Sequence, residues 1–326
     1  MAIKLSTITS IEELPEIEGT TLFHSNELFK IFKQTSGYKP IMIIAEEDDR
    51  CIARLMGTVR KSVRLFPPAI IKRCEVYGNG EYFDNSYDKE ELFSLLLNKL
   101  TREVKKRSFL IEFRNLDNPL LGYQAFKKNN YFAINWLRVY NSLHSKSPEE
   151  RLSSSRKKQI NRALKSGVTI EIAKDEEEIR AFSMLLRKYY SSKIRKHFPH
   201  IGFFIQLSRK IAGQEIAKIF LVKYNNKIIG GSVCAFSKDT AYLWFSMGMK
   251  KSYPFEYPGI MAVWGAIKYS YENGYDHFEF LDPGLPFKKY GYREFILRFG
   301  GKQTSTRRWF RFRWNMLNKL FCKIYS

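Results

Sequence analysis

The chain has 326 residues, 44% of them hydrophobic and 15% aromatic, and a formal net charge of +22. That is enough length for two domains of ~100–200 residues each and enough apolar material to exclude a disordered chain. No run approaches the ~18 apolar residues of a membrane-spanning helix, and Cys51, Cys74, Cys234 and Cys322 lack metal-ribbon or disulfide-frame spacing. The first residues also lack the charged-then-apolar layout of a secretory signal, so the expected location is cytoplasmic, including the inner face of a membrane.

In chain order, Ser25–Lys33 reads as a helix. Two strands follow, Pro40–Glu46 and Cys51–Val59, paired across the acidic turn EEDDR. Arg73–Tyr77 is a further strand closed by Gly78-Asn79-Gly80, Lys89–Lys105 an amphipathic helix, 109–113 a strand and Asn118–Lys128 a short helix. The Ser-rich stretch 145–155, with Pro148 as a helix start, is the expected boundary between domains spanning 1–147 and 148–326. Beyond it come a basic helix ending at Gly167, the strand VTIEIA, and a helix capped by Asp175 and running to Tyr190. A second helix spans 202–212, and three antiparallel strands follow, joined by NN and KD turns. Pro258 opens a helix that Gly274 closes, HFEFLD is a strand, and Tyr290–Phe299 reads as a helix. Basic and aromatic residues alternate over 308–314, as in a strand. From Phe310 on, Trp314, Leu317, Phe321 and Ile324 repeat at helical spacing.

The cations come in blocks without acids. Six lie in Arg54–Arg73, six in Arg151–Lys165, and eight between Phe295 and the end of the chain. Blocks of this kind favour a polyanionic partner such as tRNA, a phosphate-bearing small molecule or an anionic lipid surface, although simple solubility gives the same balance. The sequence has no Gly-rich phosphate loop, G-x-S-x-G elbow or G-x-G-x-x-G, which excludes the common nucleotide-hydrolase, serine-hydrolase and dinucleotide classes. His197 and His200 form an isolated H-x-x-H, an ordinary loop rather than a metal site.

Strand, helix, helix, three antiparallel strands, helix, strand, helix, strand is the order of a GNAT-type acyltransferase domain, and the first half is a shorter version of it. The expected fold class is therefore α+β, with two GNAT-like domains, each a mixed sheet flanked by helices. FLIEFRNL and INWLRVYNSL in the first half, and SSSRKKQINRALKSGV, YYSSKIRKHFPH, IIGGSVCAF, YPGIMAVWGAI, NGYDHFEF and YGYREFILRFGG in the second, resemble the FemAB-like aminoacyltransferases of peptidoglycan bridges. That resemblance implies transfer of an activated acyl or aminoacyl group, from aminoacyl-tRNA or acyl-CoA, to an amine of a cell-envelope precursor that is lipid- or nucleotide-linked, with no metal. It also implies that strands part near Trp244–Met249, opposite Phe278–Asp282, and offer a backbone N–H to the acyl carbonyl. The chain departs from the family at three places. Ile296 stands where relatives carry Lys, Asp282 stands where they carry Gly, and KKSYPFEYPG replaces the pyrophosphate loop of acetyl-CoA enzymes.

Asp282 and Tyr290 are the candidate catalytic residues. Asp282 sits where an apolar strand meets a Pro-Gly turn and could hold or deprotonate the incoming ammonium, although Asp-Pro-Gly is also a common turn spelling. The candidate substrate- and phosphate-binding residues are Arg156, Lys157, Lys158, Lys193, Arg195, Lys288, Arg293 and Arg298. The first three lie on a helix whose Ile160 and Leu164 are expected to face inward. Trp244, Tyr242 and Phe245 read as core. The basic tail could lie on an anionic membrane, with packing against the second domain as the other reading. A non-catalytic protein that kept the fold and binds a phosphate-bearing ligand is the alternative, and Ile296 favours it.

Overall fold

A computed structural model describes residues 3–61, 72–116, 118–193, 198–209 and 216–325, with the side chains of 61 and 191–193 left aside. The chain divides into two compact units, one formed by residues 1–136, 195–203 and 306–326 and the other by 137–194 and 204–305. These limits differ from the expected single boundary near 147.

The first unit contains β1 (Lys4–Ile8), α1 (Asn26–Gln34), β2 (Tyr38–Glu47), β3 (Arg50–Lys61), β4 (Lys72–Tyr77), β5 (Glu81–Tyr82), α2 (Lys89–Lys105), β6 (Leu110–Arg114) and α3 (Tyr123–Lys128). Next comes β7 (Phe132–Ser142), whose first residues belong to this unit and whose remainder belongs to the other. The second unit contains α4 (Pro148–Arg151), α5 (Ser154–Lys165), β8 (Thr169–Ile172), α6 (Glu176–Lys193), part of α7 (Ile201–Ser208), β9 (Ala217–Tyr224), β10 (Lys227–Ser237), β11 (Thr240–Gly248), α8 (Pro258–Glu272), β12 (His277–Phe280) and α9 (Gly291–Leu297). The chain closes with β13 (Lys302–Phe312) and α10 (Asn315–Ile324).

Both units use one plan. β1 to β4 form an antiparallel meander, α2 follows, and β6 returns parallel to β4. β8 to β11 repeat the meander, α8 follows, and β12 returns parallel to β11. Paired left-handed residues make the hairpin turns, Asp48 and Asp49 in the first unit and Asn225 and Asn226 in the second. Asn and Asp tolerate that conformation better than other residues with side chains, and its twist suits a two-residue hairpin.

The last strand of each sheet is exchanged between the halves. β13, from the end of the chain, pairs antiparallel with β6 of the first unit, and β7 pairs antiparallel with β12 of the second. No single cut can separate the units for this reason. The reading of the basic tail as packed on the second domain is corrected as well, because α10 packs in the first unit, where Phe321 lies against Phe132 at 5.4 Å between ring centres. Asn318 donates to the Asn130 carbonyl at 2.9 Å, so the inward face runs through Asn318 and Phe321, not through Trp314 and Ile324, which are exposed.

Two cores result. Leu92, Phe93, Leu96, Leu97 and Leu100 of α2 bury against β2, β3 and β6 in the first unit, and Met261, Ala262 and Trp264 of α8 do so in the second. Beside the first core, Arg54 is fully buried and bonds the Glu81 carboxylate at 2.7 and 2.9 Å. His24 is enclosed next to Arg54 and accepts the Met56 N–H at Nδ1 at 3.1 Å. Burial and the Arg54 charge hold its pKa down at about 3, against an ordinary 6.5. The unfolded imidazole binds its proton near pH 6.5 and the folded one does not, so this contribution to stability is complete above pH 6.5 and is lost as the pH falls toward 3. Urea unfolding at stepped pH should show the wild type losing on the order of 1.4 kcal/mol per pH unit more than His24→Gln between pH 6 and 4. Parallel pH curves for the two proteins would rule the imidazole out as the cause.

Candidate active site

The site is built where β11 leaves its neighbour. β11 and β12 pair from Thr240 and His277 to Leu243 and Phe280, and β11 then runs on to Gly248 without β12. On its other side the register with β10 steps from Cys234–Leu243 to Val233–Phe245, so Trp244 is an extra residue on β11. A bulge of this kind bends and twists the strand that carries it. The strands therefore part at the expected place, and the Ser246 backbone amide on the separated segment lies near the Tyr190 phenol. Tyr242 is buried as expected, while Trp244 and Phe245 are only partly so.

Across the gap, the chain leaves β12 and turns at Asp282, whose φ of +69° is left-handed. The resemblance puts Gly here, and Asp is among the few residues with a side chain that tolerate the conformation. Gly284 follows at φ +92°, and a Cβ there would meet the Tyr290 ring at 2.9 Å, so only glycine lets the ring lie on the turn. Phe245, Phe204 of α7 and Tyr190 form a wall of edge-on rings, with Phe245 5.5 Å from Phe204 and 6.0 Å from Tyr190.

Tyr189, Tyr190, Tyr290 and Tyr292 thus gather around Asp282. Burial pushes the Tyr190 phenol up to about 12, with Tyr189, Tyr290 and Asp282 adding to the shift and the Ser246 amide opposing it. Burial, then Tyr190, Tyr290, Asp282 and Tyr189, raise Tyr292 well above the ordinary phenol range. At neutral pH Tyr190 and Tyr292 keep their protons and can donate hydrogen bonds near the Asp282 carboxylate. Tyr190, Tyr292 and the Ser246 amide were not singled out from sequence. The Tyr189-Tyr190 pair at the end of α6 is visible there, but a backbone donor is not.

The expected phosphate-binding residues do not converge on one point. Arg156 is buried at 2% exposure, with its guanidinium 4.7 Å from the Phe295 ring centre and 4.4 Å from that of Phe299. It donates to the Phe295 carbonyl at 2.9 Å, and burial and Arg298 lower its pKa to about 10. Its role is to tie α5 to α9. The inward side of α5 is accordingly Arg156, Ile160 and Ala163, and Leu164 is exposed rather than inward. Arg293 donates to the Leu285 and Lys288 carbonyls at 2.7 and 2.8 Å, which holds the loop before α9 in place. Lys157, Lys158, Lys288 and Arg298 are exposed, and Tyr290 is 37% exposed. Arg195, His197 and the Lys193 side chain fall outside the described residues.

The other two departures noted in the sequence, beside Asp282, have different structural meanings. Ile296 is fully buried in the same core cluster as Phe280 and Phe299, so its side chain is packing rather than a lost polar group. The replaced pyrophosphate loop leads to a helix start tightly packed on β11, since a Cβ on Gly248 would lie 2.1 Å from the Gly259 nitrogen. Pro258 at the first position of α8 supplies no N–H, and Tyr257 before it is left-handed with no side-chain cap. An anion at this helix start finds fewer free donors than usual.

Two strand meanders with parallel returns, and strands that part beside a helix start, define a tandem GNAT fold. Residues 152–289 match the acetyltransferase (GNAT) domain family, so the second half carries a GNAT acyltransferase domain. The whole chain is similar in fold to FemX, at a TM-score of 0.63 and 14% identity over 97% of this chain and 96% of that one. It is similar also to a tandem GNAT protein from the clavulanic acid biosynthesis pathway (TM-score 0.57, 8% identity, 96% and 99% covered). L-PGS from Bacillus licheniformis is a third such fold (TM-score 0.55, 13% identity, 95% and 98% covered). No curated protein sequence matches the chain. The chain thus has a tandem GNAT fold whose second half carries the matched GNAT domain.

Placing Lys at position 296 buries an ammonium with no partner among the core residues around it, so the substitution should damage the fold rather than restore chemistry. Ile296→Lys is expected to lower stability by about 3 kcal/mol or more. An unchanged melting temperature together with a gain in transfer activity would reverse this assignment.

Proposed function

We propose that the second unit transfers an aminoacyl group from tRNA to an amine of a cell-envelope precursor, at the gap between β11 and the Asp282 turn. The observation that carries this reading is the pairing of a strand-edge amide, that of Ser246, with a carboxylate, that of Asp282, around one group of tyrosines. The Ser246 amide donates to the acyl carbonyl and stabilises the oxyanion. Asp282 orients the ammonium and accepts its proton. The amine nitrogen bonds to the acyl carbon, the ester bond to the tRNA ribose breaks, and the ribose hydroxyl leaves with a proton. Tyr290, at the rim on Gly284, donates to the acceptor.

Several features support aminoacyl-tRNA over acyl-CoA as donor. The α8 start is short of donors, and the net charge of +22 suits a polyanion. Exposed Lys157, Lys158, Lys288 and Arg298 are available for phosphate contacts, with Lys193 and Arg195 as further candidates. Similarity in fold to FemX and L-PGS fits a cell-envelope acceptor. Among the described residues no helix is long and apolar enough to cross a membrane.

Asp282→Gly separates chemistry from backbone, because glycine accepts φ +69° without strain. It should lower single-turnover transfer by about 10²-fold or more while leaving the melting temperature unchanged or raised. Undiminished transfer in this variant would exclude the carboxylate. Charged tRNA should raise the melting temperature of the full chain where acetyl-CoA does not, and the opposite pattern would replace the donor.

A further inference from the structure

The end of the chain carries an apolar surface that neither the fold nor the candidate site uses. α10 is anchored in the first unit along one side. Asn318 is 4% exposed, accepts the Phe312 N–H at 2.8 Å and donates to the Asn130 carbonyl at 2.9 Å. Phe321 lies 4.9 Å from the Phe312 ring centre. The opposite side carries Met316, Leu320 and Ile324, spaced one turn apart and exposed at 88%, 54% and 60%. Trp314, just before the helix, is 63% exposed although its ring edge meets Phe109 at 5.2 Å. Lys319 and Lys323, both exposed, flank the apolar stripe on one side. An apolar stripe about 15 Å long, facing away from the core and bordered by lysines, is the arrangement of a helix lying in a lipid–water interface.

A second, independent feature lies beside it. Arg102, Lys105, Lys128 and Arg311 line a cavity of about 280 Å³ that has no acidic residue in its wall. It adjoins α10 directly, since Lys105 donates to Asn315 at 3.2 Å and Asn130, another wall residue, is the anchor of Asn318. Arg311 is 9% exposed and hydrogen-bonds the Asn129 carbonyl, and its Nε is buried without a partner. Four cations around a cavity of this size suit a phosphate-bearing headgroup.

We propose that α10 and this cavity together dock the protein on an anionic phospholipid surface. Met316, Leu320, Ile324 and Trp314 enter the acyl boundary, and Arg102, Lys105, Lys128 and Arg311 hold a headgroup. The choice of lipid over RNA rests on the stripe. Met316, Leu320 and Ile324 offer no ring for base stacking and no donor for phosphate, and the one ring beside them, Trp314, suits the lipid–water boundary equally, whereas burial in lipid removes all four from water.

The test is flotation of the full chain with vesicles of phosphatidylcholine alone and with about 30% phosphatidylglycerol added. The wild type should bind the anionic vesicles and bind the neutral ones roughly tenfold or more weakly. Leu320→Asp combined with Ile324→Asp alters exposed positions only. It should abolish anionic-vesicle binding with the melting temperature unchanged, and wild-type Trp fluorescence should shift to the blue on binding. Lys105→Glu with Lys128→Glu should reduce anionic binding to the neutral level. Failure of the wild type to bind either vesicle, or equal binding by the apolar variant, would overturn the proposal. Loss of tRNA binding by the apolar variant, with vesicles unbound by any form, would overturn it in favour of RNA. Vesicle binding is read without any transfer reaction, so the outcome is independent of the donor and of Asp282.

Discussion

β11 carries one residue more than β10 can pair with, and the second unit's site depends on that surplus. Trp244 is the unmatched residue, and the strand bends there just as its parallel partner β12 ends at Phe280. The Ser246 amide lies on the segment of β11 beyond that point, next to the Tyr190 phenol. Buried amides must find a partner, so a parted strand either binds a ligand or closes on one of its own side chains. In this chain the Tyr190 phenol of α6 stands beside it, against the ring wall of Phe245 and Phe204.

The charge of the chain separates into two populations once folded. Arg54, Arg60 and Arg73 belong to a stretch with no acid in sequence, yet each meets a buried carboxylate brought by another strand, Glu81, Glu75 and Glu112 respectively. Burial alone would push Glu75 and Glu112 up, but the surrounding guanidiniums hold both below the ordinary carboxylate range. Arg114 and Arg308 complete this network around Glu112 at 3.1 and 3.0 Å. Clustering along the chain therefore overstated the free cation in the first unit. Among the residues proposed for phosphate contact, Lys157 and Lys158 on α5 and Lys288 and Arg298 on either side of α9 stay exposed.

Much of the architecture was readable from the sequence. Hairpin turns were spelled by Asp and Asn pairs, α8 by Pro258 and Gly274, and β13 by alternating basic and aromatic residues, because each of these signals is local. The parting of the strands was placed correctly at Trp244–Met249 only through the resemblance, since a bulge leaves no mark in composition. The phosphate-binding residues were read less well. Arg156 and Arg293 look like surface cations in a helix pattern, and only the rings and carbonyls facing them show that they are internal ties. Ile296 looked like a missing catalytic group for the same reason.

The sequence by itself determined the order of most elements and the repeated plan of the two halves, because hydrophobic period and turn chemistry act over a few residues, and the resemblance pointed to acyl transfer. Tertiary structure decided which half each final strand completes, which carboxylate neutralises which arginine, and which face of α10 is left in water. Those outcomes rest on pairing between segments a hundred or more residues apart, and the energy of such a pairing is a property of two surfaces that neither segment encodes alone.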